Sequence, residues 1–320
     1  MDLEMVLNEL SLQPLANDVQ IARQRMIDLI TTLQAATTRG IKRELLTHDN
    51  LNNVFLAPDY PLARWRNDNE VDREARRFFS RLSTNYPIPA SVTDPEVKKK
   101  VDTSDFLHEN DRATGLGIAF LLNGLALSLR SEQRWYSSHL ELDFIQLDDD
   151  GEIIEELVEV IHASQRDHVL EHAGWIKSRI ASVIRNGSDV WEYRKQLFPN
   201  LQFCTSVREQ LLVLNSGNSP LRLIEKKLSD LEACCKDWQE RGSVFDLRQI
   251  PGKCAPESEA TLNEYGHQRT FHCPDGVMRV FSLHVRITSY WRLHFLPLEG
   301  QKQIIIGYIG EHLPTAKFHM

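Results

Sequence analysis

The chain has 320 residues, 42% apolar and 26% charged, with a formal net charge of −8. This is chain enough for two domains of ordinary globular composition. Residues 1–196 hold 23 Lys and Arg against 32 Asp and Glu, a balance of −9, and residues 197–320 hold 14 against 13, a balance of +1. A generally basic, non-specific polyanion binder is thereby excluded, and any nucleic-acid contact is expected to be local and carried by the second part.

Residues 1–12 carry three acids and no basic group, so no signal peptide is expected. Residues 15–47 read as a helix, with Ile21, Met26, Ile27, Ile30 and Leu33 at helical spacing and Gly40 near its end. After Pro58 and Pro61, a charged helix is predicted over 69–82, its apolar stripe being Val71, Ala75, Phe78, Phe79 and Leu82. Arg73, Arg76, Arg77 and Arg81 lie largely off that stripe and read as a solvated face, with tracking of a phosphate backbone as the alternative. Pro87 and Pro89 stop this helix, and a polar connector covers 96–105.

The run 113–129 is the longest apolar stretch, interrupted by Thr114, Asn123 and three glycines. It falls short of the roughly 20 residues that span a bilayer, so a buried helix and no membrane are expected. Gly115-Leu-Gly117 lacks the third glycine and preceding strand of a dinucleotide fingerprint. Residues 132–171 then hold twelve acids and two arginines. Within them 139–147 alternates as a strand, Asp148-Asp149-Asp150-Gly151 reads as a turn, and 152–161 and 164–185 read as helices. A mainly α-helical first domain, 1–196, follows. His168, Glu171 and His172 form an H-x-x-E-H pattern, which on a helix offers two zinc ligands and a general base. No pattern marks a third ligand, so packed or surface histidines are the main reading and a zinc-dependent hydrolase the distant alternative.

The second domain, 197–320, changes period. A short strand, 201–204, precedes a helix capped by Thr205 or Ser206, with Ser206 and Glu209 in capping-box spacing and Asn215-Ser-Gly217 at its end. A helix over 220–241 follows. Beyond Gly242 the strand candidates are 244–247, 268–273, 277–287, 291–296 and 303–309, with Pro274-Asp-Gly276 as a hairpin turn. Ile304, Ile305 and Ile306 are apolar on both faces, which predicts a central strand. Cys204, Cys234, Cys235, Cys254 and Cys273 contain no C-x-x-C pair and read as reduced thiols of a cytoplasmic protein.

The most informative segment is Phe281 to Phe295. Phe281, Leu283, Val285, Ile287, Trp291, Leu293 and Phe295 share one face, leaving His284, Arg286, Arg292 and His294 on the other. A turn at Thr288–Tyr290 pairs His284 with His294 and Arg286 with Arg292. Like charges facing across a sheet are unfavourable, so this face is expected to await an anion, nucleic acid first. The acidic run 132–171 is the rival partner.

A strand, a helix pair and an antiparallel meander resemble the RelE/ParE toxin superfamily. LQFCTSVREQLLVL resembles its opening strand and helix, YWRLHF its central strand, and IIIGYIGEHLP its last strand and tail. The resemblance covers 198–314 and implies an α+β fold, a helical hairpin packed on an antiparallel sheet. It implies a toxin or defence effector acting on RNA or ribosome-bound mRNA, with Arg292 as the central-strand arginine and His312 near the C-terminal functional residue. The gyrase-poisoning branch of the superfamily cuts nothing, so a non-catalytic interaction protein stays open.

Metal-free RNA cleavage needs a base for the 2′-hydroxyl, an acid for the leaving oxygen and cations for the phosphorane. His284, Arg292, His294 and His312 supply that set, with Arg286, Arg292, Arg279 and His272 as nucleic-acid contacts. The acids after Tyr265 are only Asp275, Glu299 and Glu311, so two-metal chemistry is not expected and no cofactor is assigned. Residues 1–196 are the candidate surface for a protein partner.

Overall fold

The structure is a computed structural model that describes residues 3–48, 50–87, 94–147, 152–214, 219–242 and 244–317. The chain divides into two compact units, Met1–Val183 and Ile184–Met320.

The first unit begins with β1 (Met5–Leu7), α1 (Val19–Thr38), β2 (Glu44–Leu46), the small hairpin β3 (Phe55–Ala57) and β4 (Tyr60–Pro61), α2 (Leu62–Arg66) and α3 (Arg73–Ser80). It continues through β5 (Ser83–Asn85), α4 (Pro95–Thr103), β6 (Ser104–His108), β7 (Asp111–Arg112), α5 (Thr114–Leu122) and β8 (Leu125–Leu127). The long strands β9 (His139–Leu147) and β10 (Ile153–Ala163) follow, then α6 (Arg166–Glu171) and α7 (Ala173–Val183). Eight strands form one sheet in the order β5-β2-β1-β8-β10-β9-β6-β7. The pairs from β5 to β10 are parallel, and β9, β6 and β7 add antiparallel pairs.

This sheet corrects the mainly α-helical expectation for the first domain. The central strands are three residues long and buried on both faces, Met5, Val6, Leu125, Ala126 and Leu127 all being 0% exposed. They therefore show no alternation to read. The predicted helix over 152–161 is strand β10, because EIIEELVEVI fits a period near 3.6 as well as a period of 2. Its pairing with β9 over nine residues decides the matter. The apolar run 113–129 is split between α5 and β8 at Asn123, which takes the left-handed conformation. The turn expected at 148–151 and the helix end at 215–217 lie outside the described residues.

A buried polar chain joins the carboxyl ends of β1, β8 and β10. Asn8 Nδ2 donates to Ser128 Oγ (3.0 Å), Ser128 Oγ meets His162 Nε2 (2.8 Å), and His162 Nδ1 meets the Ser137 carbonyl (2.6 Å). All three side chains are 0% exposed. Burial pushes the His162 imidazole down to about 3, so the ring is neutral, with Nδ1 donating and Nε2 accepting.

The second unit starts with α8 (Gly187–Leu197), capped by Asn186 and Asp189 in a capping box and tied by Gly187 N to the Leu214 carbonyl at 2.9 Å. The unit boundary at 183/184 thus lies before this helix, where the composition shift suggested 196/197. Next come β11 (Leu201–Phe203), α9 (Thr205–Leu212), α10 (Ser219–Arg241), β12 (Cys254–Pro256), α11 (Glu259–Tyr265) and the hairpin β13 (Thr270–His272) and β14 (Met278–Val280). The unit closes with β15 (Leu283–Arg286), β16 (Trp291–Leu298) and β17 (Gln303–Glu311). The sheet order is β11-β17-β16-β15-β12, with β11 parallel to β17 and the remaining pairs antiparallel. β17 is central, and Ile304, Ile305 and Ile306 are at most 1% exposed. Three local expectations differ, the first being the strand over 277–287, which is broken at 281–282 into β14 and β15 of separate sheets. Residues 244–247 form no strand among those described, and Cys204, without a side-chain cap, occupies the position before α9 while Ser206 Oγ donates to the Gly307 carbonyl.

Candidate functional site

The β15–β16 pairing places Leu283 opposite Phe295, His284 opposite His294, Val285 opposite Leu293 and Arg286 opposite Arg292. Alternation with a turn at Thr288–Tyr290 predicts this register, and Val285, Leu293 and Phe295 are 0% exposed on the core side. A bulge between His294 and Phe295 leaves Gly307 unpaired on β17 and sets Tyr308 opposite His294. His284, His294 and Tyr308 thus form a row across three strands. The histidine rings are 5.4 Å apart, and His294 lies 5.8 Å from Tyr308.

This face is not the open surface that the sequence suggests. Phe271 of β13 stacks on Tyr308 (centroids 5.9 Å) and meets Phe281 edge-on (5.4 Å). A Cβ on Gly307 would come within 2.6 Å of Phe281, so only glycine lets these rings close down. His294 is consequently 1% exposed, its Nδ1 3.3 Å from the Phe281 carbonyl. Burial pushes its pKa down to about 3, with the charges of His284 and Arg269 adding to the effect. So covered, His294 is closed to solvent where a catalytic residue was expected, and its ring packs against that of His284.

The carboxylate facing the quartet is Glu257, directly after β12. Its Oε1 accepts from Arg269 Nε at 2.9 Å and lies 3.4 Å from His284 Nδ1. Arg269 is fully buried and its Nη2 donates to the Pro314 carbonyl at 2.9 Å, which fastens the C-terminal segment over the site. His312 follows on that segment, its N–H donating to the Tyr290 carbonyl at 2.7 Å. The two facing arginines share one acceptor: Arg286 Nε and Arg292 Nη1 reach the Thr288 carbonyl at 3.0 and 2.9 Å. Among the described residues neither makes an ion pair. His284 is held below its ordinary pKa by burial, then by Arg292, His312 and Arg269, with Glu257 opposing. Burial and Arg292 do the same to His312.

Glu257, His284 and His294 each offer a ligand atom, all within 4.8 Å of one another. Two neutral imidazoles and a carboxylate suit a transition-metal ion in donor type. Arg269, however, already supplies the positive charge beside Glu257, and Arg292 stands on the other side, so the electrostatics favour an anion next to the cluster over a second cation within it.

The structure brings His284, Arg286, Arg292, His294 and His312 together. It does not bring His272 or Arg279 to them. His272 is exposed on β13, and Arg279 is held by Asp275 at 2.6 Å. Glu257 and Arg269, the pair beside His284, escape sequence reasoning because they lie outside the β15–β16 alternation, directly after β12 and directly before β13, and reach it through backbone bonds at Phe281 and Ser282. The H-x-x-E-H residues likewise form no metal centre among the described residues. His168 is buried near Ser164 N, His172 Nε2 meets the Ser138 and His162 carbonyls at 2.8 and 3.0 Å, and Glu171 is exposed. All five cysteines are unpaired, and burial raises the thiols of Cys204, Cys234, Cys235 and Cys254. No described helix is long and apolar enough to cross a membrane. No protein-family model matches the chain, and neither do any curated protein or any solved structure.

Proposed function

We propose that the second unit binds RNA at Arg286 and Arg292 and cleaves it by metal-independent acid–base chemistry, in the manner of a RelE-like toxin or defence effector. The observation that carries this reading is the Glu257–His284 pair beside Arg292 and His312. Glu257 Oε1 stands 3.4 Å from Nδ1 and favours the proton on that nitrogen, so the neutral ring presents Nε2 as a base. His284 takes the proton of a 2′-hydroxyl, and that oxygen attacks the adjacent phosphorus. Arg286 and Arg292 stabilise the charge on the phosphorane. The P–O5′ bond breaks as His312, in its imidazolium form, gives a proton to the leaving oxygen. The products are a 2′,3′-cyclic phosphate and a 5′-hydroxyl end. A first strand parallel to the last, a helix pair between them and an antiparallel meander support the comparison with RelE-like folds. The first unit is then the surface for a protein partner.

The test is incubation of the full chain with labelled RNA and with mRNA-programmed ribosomes, each with and without EDTA. Cyclic-phosphate ends that resist EDTA and vanish in His284→Ala and His312→Ala are expected. Cleavage that requires a divalent ion, or persists in His284→Ala, overturns the mechanism. The burial of His294 and the half-burial of His284 favour one second reading, RNA binding without cleavage, and retention of RNA with no cut in either assay would establish it.

A further inference from the structure

The first unit carries a second basic surface, independent of the His–Arg site. Arg66 at the end of α2 and Arg73, Arg76, Arg77, Ser80 and Arg81 along α3 line one open groove of about 320 Å³. The α3 positions follow the i, i+3, i+4, i+7, i+8 pattern of a single helix face. Val71, Ala75, Phe79 and Leu82 supply the buried side. Among the described residues none of these five arginines makes an ion pair. Of the nearby acids, Asp68 Oδ2 bridges to Arg23 at 2.7 Å and Asp72 Oδ1 caps α3 by accepting from Ala75 N, while Glu74 in the first turn offsets part of the positive charge. Arg66 is set in place by Asn52 Oδ1 at 2.7 Å and by the Phe79 ring at 5.4 Å. The Nε atoms of Arg66 and Arg76 are buried with no hydrogen-bond partner.

Helix electrostatics explain only part of this stripe. Arg77 and Arg81 stand at the C-terminal end of α3, where cations are favoured, but Arg73 occupies its first position, where a cation is unfavourable. Five like charges in one groove, one of them at the wrong end of its helix, call for an external polyanion. We infer that this groove holds the phosphodiester backbone of a single-stranded nucleic acid. Guanidinium forks match phosphate oxygens, and a cleft lined from two helices fits a chain of phosphates better than it fits a flat lipid surface. The surrounding unit is acidic, with 20 basic against 30 acidic side chains over residues 1–183. A broad anionic membrane is therefore repelled where a narrow polyanion seated in the groove is not.

Fluorescence anisotropy of the full chain with a labelled 2′-O-methyl RNA 20-mer and a single-stranded DNA 20-mer tests this, since neither has the 2′-hydroxyl that cleavage needs. Arg73→Ala/Arg77→Ala changes two exposed side chains. It should weaken binding by about tenfold and reduce the slope of log K against log salt by about 1.4, two contacts at roughly 0.7 each for single strands. Arg73→Lys/Arg77→Lys should keep the slope. If only one of the two oligonucleotides responds, that one is the source of the phosphodiester chain. The inference is overturned if wild type binds neither oligonucleotide, or binds vesicles containing phosphatidylserine instead. It is also overturned if the alanine pair binds as wild type does while Arg286→Ala/Arg292→Ala removes the salt dependence. That last result would leave the cleavage site standing without this groove.

Discussion

Each unit buries a group of histidines, and the two groups differ in what stands beside them. In the first unit His162 and His172 spend ring nitrogens on serine and backbone partners, and the chain from Asn8 through Ser128 to the Ser137 carbonyl closes on itself. In the second unit His284 and His294 lie next to Glu257, Arg269 and Arg292, and His284 Nδ1 has only a carboxylate at 3.4 Å. A closed neutral network holds strands together and offers nothing to a substrate. An imidazole beside a carboxylate and guanidinium groups, with a nitrogen left unpartnered, is the environment that the proposed proton transfer requires. Burial lowers the pKa in both places; the neighbours decide the use.

The contrast breaks most severely at Arg269. Arg269→Ala leaves Glu257 as a buried carboxylate without its partner and releases the Pro314 carbonyl, so the second unit should lose about 3–5 kcal/mol in denaturant unfolding. A loss under about 1 kcal/mol would show that this pair does not organise the site. Acid comes next. His162 and His294 are neutral when folded, with pKa values pushed to about 3, whereas their unfolded forms take up a proton near 6.5. Stability is therefore complete above pH 6.5 and falls as the pH drops from there towards 3. At pH 5 each histidine should remove about 2 kcal/mol, read as lower denaturant midpoints than at pH 7.5. Equal midpoints would mean that these rings are not buried neutral.

His162→Phe sharpens the contrast from the other side. It leaves Ser128 and the Ser137 carbonyl without their buried partner, at a cost of about 1–3 kcal/mol, yet RNA cleavage at a permissive temperature should be unchanged. Loss of cleavage in the folded variant would place function in the first unit. The pH profile of cleavage is the finest test. His284 must be neutral and His312 protonated, and both are held below the ordinary value. The bell should accordingly centre below pH 6.5, and a maximum on the alkaline side would show that these two histidines are not the acid–base pair.

The local patterns that survive into the structure are those carried by neighbours in sequence. The alternation of Phe281–Phe295 gives the β15–β16 register, the proline start and apolar repeat of α10 give a helix of 23 residues, and Pro274-Asp-Gly276 closes its hairpin with Gly276 N donating to the Cys273 carbonyl. Other elements need distant partners. β1 and β8 have three residues each, too few to show a period, and become strands only because they lie side by side in parallel register. EIIEELVEVI is a strand because nine residues of β9 pair with it. Arg73, Arg76, Arg77 and Arg81 are visible as a helical stripe, but the facing Arg66 is brought there by α2.

The amino-acid order by itself determined which side chains of β15 and β16 share a face, because side-chain direction in a strand follows from a period of two and needs no partner. It therefore placed two histidines and two arginines together. Only the tertiary structure decided what that face is. Hairpin β13–β14 covers His294, Gly307 admits the covering rings, and Glu257 with Arg269 arrives from outside β15 and β16 to stand beside His284. Burial and long-range pairing depend on parts of the chain with no short-range relation to the strands they meet, and no local period can encode them.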